Sequence, residues 1–111
     1  RGKQGLMATL TCRHAQQDML KELNVIVDNG GFVRDVIVEH PLYGEIRAAL
    51  MLGARHDVAA FGERMAKCQA NSLSLVTGGV HLHTIEVPDP AALGRIRREL
   101  QQAGILIEDL K

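Results

Sequence analysis

FVRDVIVEHPLYGEIRAALML, residues Phe32 to Leu52, decides what kind of sheet this chain builds. Its first part, Phe32 to His40, is rich in valine and isoleucine and reads as a strand. PLYG then breaks it, because proline fixes φ and glycine permits a turn. Taken alone, Glu45 to Leu52 suits a strand and a helix about equally. Its place straight after the break makes it the antiparallel partner of the preceding strand.

The flanking segments follow from that hairpin. Leu6 to His14, LMATLTCRH, mixes apolar and β-branched residues in rough alternation and reads as a strand. In AQQDMLKELNVIVDNGG, Met19, Leu20, Leu23, Ile26 and Val27 recur at helical spacing as one apolar stripe, and Gly30 and Gly31 close the helix. Val58, Phe61, Met65 and Cys68 mark a second amphipathic helix, and SLSLV followed by GGVHLHTIEV gives a strand region interrupted at Gly78 and Gly79. PDPAALGRIRREL has a strong helix start, with Asp89 as cap and Pro90 in the first turn. Leu93, Ile96, Leu100 and Ala103 supply its buried face, Gly104 ends it, and ILIEDL adds a last strand. Strand, helix, strand, strand, helix, strand, helix, strand is the order expected of a single α+β domain. It is a two-layer α/β sandwich, a mostly antiparallel sheet with helices on one face. The uncovered sheet face is where a dimer partner or a site would sit.

At 111 residues with 46% hydrophobic content, the chain buries a core without needing disulfides. Aromatic residues are only 3%, so that core is aliphatic and no aromatic cage is expected. Thirteen basic residues balance thirteen acidic ones, which makes the chain by itself a poor binder of nucleic acid, since phosphate neutralisation dominates such affinity. Arg95, Arg97 and Arg98 form the one local cluster and read as a solvated helix face. Cys12 and Cys68 show no CxxC spacing, as in reduced thiols of a cytoplasmic protein. No apolar stretch approaches a membrane span and no signal peptide is visible. Beginning on Arg1 rather than methionine, the chain reads as a fragment of a longer protein.

His81 and His83 lie two apart in a strand and so project from the same face, with Leu82 on the other. Two imidazoles on one face can share a zinc, nickel, copper or iron ion, although HxH alone is a weak signal and two solvated histidines would look the same. His14 and Glu22 are further candidate ligands; spacing alone puts Glu22 off the apolar stripe, as a surface carboxylate. His40 precedes a proline and either holds the turn or binds a ligand. His56, beside Asp57, reads as a cap or surface residue, and Cys12 as a buried thiol that is also a conceivable thiolate ligand. No serine or cysteine nucleophile sits in a catalytic motif, and the glycine pairs lack a phosphate-binding context.

Three ordered stretches together resemble one family over nearly the whole chain: His14 with Glu22 and Leu23 in ELNVIVDNGG, RDVIVEHPLYGEI from Arg34 to Ile46, and LVTGGVHLHTIEVP from Leu75 to Pro88. They are similar to the 3H domain, the regulatory domain of the NiaR family of bacterial transcription repressors. The resemblance implies a divalent metal, nickel or zinc first and iron next, on His14, Glu22, His81 and His83. It further implies nicotinic acid as co-repressor, a homodimer, and DNA contacted only through a helix-turn-helix domain that this chain lacks. His40, Tyr43 and Arg55 are expected to complete the ligand pocket. Two other classes compete: a small metal-dependent hydrolase with Glu22 or Glu86 as general base, and a dimerisation module with a structural metal.

Overall fold

A computed structural model describes residues 5–68 and 77–107. In chain order these form β1 (Leu6–Arg13), a 3-10 turn at Gln16–Asp18, α1 (Met19–Asp28), β2 (Phe32–His40), β3 (Gly44–Leu52), α2 (Arg55–Cys68), β4 (Val80–Val87) and α3 (Pro90–Gln102). The strands lie in the order β1-β4-β2-β3, every neighbouring pair antiparallel. β2 and β3 are the expected hairpin, turning at residues 41–43. The fold is α+β, as the sequence implies.

One sheet face carries the core. Leu10, Cys12, Val33, Leu52, Ile85 and Val87 point from the strands into a cluster with Leu23, Ile26 and Val27 of α1, Val58 of α2, and Ala92, Ile96 and Leu100 of α3. The helix ends fix how these faces meet the sheet. At the end of α1, Gly31 N–H donates to Ile26 O at 2.9 Å and Gly30 N–H to Val27 O at 3.0 Å, with Gly30 at φ 87°. That pair of bonds is a Schellman motif, which needs a residue tolerant of positive φ. α3 closes in the same way, through Ile105 to Leu100 and Gly104 to Gln101. Its start is capped by Asp89 Oδ1, which accepts the Ala92 N–H at 2.8 Å.

Three details differ from the expected elements. The last strand reduces, among the described residues, to one bridge between Leu106 and Cys12, because Ile105 is still tied to the end of α3. Cys68 is exposed, so the buried side of α2 rests on Val58 with Phe61 packed against it. Glu22 is fully buried rather than on the surface. It lies three residues after Met19 and four before Ile26, which is within the inward stripe; its charge disguised a core position. SLSLV lies outside the described residues.

Candidate metal centre

β4 alternates strictly, with His81, His83, Ile85 and Val87 buried and Val80, Leu82, Thr84 and Glu86 partly exposed. The two histidines therefore face the helices, as a continuation of the core, and are only 2% and 3% exposed. In register with them are Cys12 opposite His81 and Leu10 opposite His83 on β1, and Val36 opposite His83 on β2. α1 lowers Glu22 onto this patch, and His14, just past the end of β1, reaches the same carboxylate from the side.

Glu22 is the hub. His14 Nε2 and His83 Nε2 lie 2.9 and 3.0 Å from its Oε1, and His81 Nε2 lies 2.8 Å from its Oε2. The rings of His14 and His81, and of His81 and His83, meet edge to face with centroids 4.7 and 4.8 Å apart. Each Nδ1 is held by a main-chain carbonyl: His14 by Ala15 O at 2.7 Å, His81 by Gly79 O at 2.8 Å and His83 by Asp35 O at 2.9 Å.

Two backbone irregularities supply the carbonyls of Gly79 and Asp35. Gly79 sits at φ 94°, and a Cβ there would come 2.5 Å from His14 O, so only glycine lets the β4 entry pass against the His14 segment. Asp35 follows a bulge in β2; its side chain takes the Thr84 amide at 3.1 Å while its own carbonyl accepts from His83. The sequence carried no signal for Asp35 in this role.

The hydrogen-bond pattern has a chemical consequence. All six ring nitrogens face acceptors, three carbonyls and one carboxylate. Satisfying each with a proton makes three imidazolium rings around a single buried anion, and an isolated buried charge is costly. Neutral rings that keep Nδ1–H on the carbonyls instead turn three Nε2 lone pairs toward the one Glu22 carboxylate. That is the arrangement by which a histidine–carboxylate set holds a borderline divalent cation, with the carbonyls orienting the rings. The donor set fits such an ion.

Without an ion, Glu22 and the rings of His14 and His83 favour one another's charged forms. Burial pulls His83 and His14 downward in pKa, yet the Glu22 carboxylate overrides it and leaves both raised above 6.5. Burial pushes Glu22 upward, but the charge on His83 and hydrogen bonds from all three rings hold it well below 4.5.

The structure does not bring the other expected residues to this cluster. His40 lies four residues beyond Val36, about 13 Å along β2. There its Nδ1 accepts the N–H groups of Leu42 and Tyr43 at 3.0 and 3.3 Å, which is the turn-holding role. Tyr43 is 73% exposed. Arg55 forms a two-pronged bond with Asp28 at 2.8 and 2.7 Å, at the far end of α1 from His14. Glu86 faces away from the histidines and approaches Arg34 at 3.8 Å, so it offers no general base beside them. A cavity of about 420 Å³ opens on that other side, between Phe32, Arg34, Met51, Glu86 and Pro88.

Comparison with known proteins gives the family. The chain is 44% identical over 108 residues to the probable transcription repressor NiaR of Thermotoga maritima, covering 97% of this chain and 62% of the relative. It is 41% identical over 100 residues to the transcription repressor NadR of Bacillus subtilis, covering 90% of this chain and 56% of that protein. The chain thus spans about three-fifths of each relative. Residues 7–109 match the 3H domain, with the histidine and carboxylate positions inside the match, and the chain belongs to the 3H domain family.

Proposed function

We propose that this domain is the metal-dependent ligand sensor of a transcription repressor, regulatory rather than enzymatic, with nicotinic acid as its co-repressor. The observation that carries the reading is the convergence of three ring-oriented Nε2 atoms on the buried Glu22 carboxylate. Both named relatives are repressors, and the sequence resemblance supplies nicotinic acid as the ligand. His14, Glu22, His81 and His83 would hold nickel, zinc or iron. When bound, the ion supplies a Lewis-acidic position for the pyridine nitrogen or carboxylate of the ligand. The protein's part is to fix the rings through Ala15, Gly79 and Asp35, and to keep the site dry. Ala15, Gln16 and Gln17, next to His14, are exposed. His40, Tyr43 and Arg55 stay outside this pocket.

Regulation requires the ligand to favour one conformation or subunit arrangement over another. A homodimer joined at the sheet face away from the helices would pass that preference to attached DNA-binding domains, whose separation must match operator half-sites. Isothermal titration of nicotinic acid into the metal-loaded and the chelated domain tests the reading. Saturable binding only with metal supports it; binding in neither state overturns the sensor and leaves a structural ion.

A further inference from the structure

We infer that Cys12 is a further protein ligand of this centre, its thiolate joining His14, Glu22, His81 and His83 when a thiophilic divalent cation is bound. The inference rests on the metal-centre reading above and adds a donor to it.

The sheet register makes the case first. Leu10 and Cys12 on β1 and Val36 on β2 stand opposite the histidine pair, and Cys12 alone among them carries a donor atom. Cys12 is 0% exposed and is not in a disulfide. Its sulfur, one nitrogen of His81 and one oxygen of Glu22 all lie within 4.8 Å of one another. Two donors that share one ion sit at most about 4.4 Å apart, the sum of their bond lengths, so Cys12 stands at the edge of a ligand shell with His81 and Glu22.

Charge makes the case a second time. Three neutral imidazoles and one carboxylate leave a divalent ion with one uncompensated positive charge, inside a cluster whose side chains are at most 3% exposed. A buried net charge is unfavourable. Formation of the metal–sulfur bond releases the S–H proton to solvent, and the resulting thiolate brings the site to neutrality. Sulfur also biases the site toward cobalt, nickel, zinc and cadmium over manganese and magnesium, which prefer oxygen. An ion of higher coordination number still has room for a small ligand.

The test uses cobalt(II) as probe on the domain carrying Cys68→Ser, which leaves Cys12 as the sole sulfur nucleophile, compared with the same protein also carrying Cys12→Ser. Two signals are read: binding of one cobalt per chain by calorimetry, and the sulfur-to-cobalt charge-transfer band in the near ultraviolet. One cobalt per chain with the band present, and loss of the band in the Cys12→Ser protein, is the expected result. Stoichiometric cobalt without any band overturns the role of Cys12 and leaves the histidine–carboxylate centre standing. No cobalt bound at all defeats the centre itself. Should the Cys12→Ser protein fail to fold, the band in the Cys68→Ser protein alone still decides, because no other thiol remains to produce it.

Discussion

Glu22 does at one atom pair what three histidines would otherwise have to do among themselves: it makes a cluster of imidazoles tolerable in a core. Its pH dependence follows from opposite shifts. His14 and His83 titrate above 6.5, so without metal their contribution to stability is complete below 6.5 and is lost as pH rises through the raised values. Glu22 titrates well below 4.5, so its contribution is complete above 4.5 and is lost as pH falls through the lowered value. The metal-free cluster therefore contributes most between about pH 4.5 and 6.5. Metal binding requires the Nε2 atoms without protons, so the stabilisation gained from metal grows as pH rises past that window. Thermal unfolding with chelator and with nickel, from pH 5 to 8, checks this; a metal-induced shift that shrinks with rising pH would contradict it. Glu22→Gln removes the hub, and nuclear magnetic resonance titration of that variant should show both histidines moved down in pKa, with metal affinity lowered by about tenfold or more.

Among the elements, the entry to β4 is the most demanding. Gly78 and Gly79 both have positive φ, at 69° and 94°, but their surroundings differ. A Cβ on Gly78 meets nothing within 4 Å, whereas one on Gly79 strikes the His14 carbonyl. Gly78→Ala should cost about 1 kcal/mol from its backbone conformation alone. Gly79→Ala adds displacement of the His14 segment, to a total of roughly 2–4 kcal/mol. It should also weaken metal binding, since Gly79 O orients the His81 ring. Denaturant unfolding and metal titration of the two variants separate these effects; equal stability losses would refute the steric account.

This element also shows what the sequence made legible. Period-two spacing placed His81 and His83 on one face, and that is correct. Which face was less obvious, although Ile85 and Val87 continue the histidine side while Glu86 lies on the other, and that contrast was the available clue. The hairpin, the three helices and the glycine ends of α1 and α3 are readable because each rests on local chemistry. Glu22 reads as a surface residue because a charge in an apolar stripe looks like a gap in it. Asp35 was invisible because its role belongs to a main-chain carbonyl released at a bulge, and no side-chain type announces that.

For the whole molecule, the question is whether the ion holds the fold together or rests upon a fold already made. The cluster ties β1, α1 and β4, yet the same three elements are joined by Leu10, Leu23, Ile26 and Ile85, all at most 1% exposed. α3 closes the same core through Ile96 and Leu100. An aliphatic core of this extent is present without any metal ligand, unlike a small zinc module that folds only on binding. The chelated domain should accordingly keep its far-ultraviolet circular dichroism and a cooperative melt. Its melting temperature should fall only by the linkage amount, about 2.7 kcal/mol at a hundredfold excess of metal over Kd, or about 10 °C for a domain of this size. Loss of secondary structure on chelation would instead make the ion a structural part, and a sensor built on reversible occupancy of this site would then have no folded resting state from which to respond.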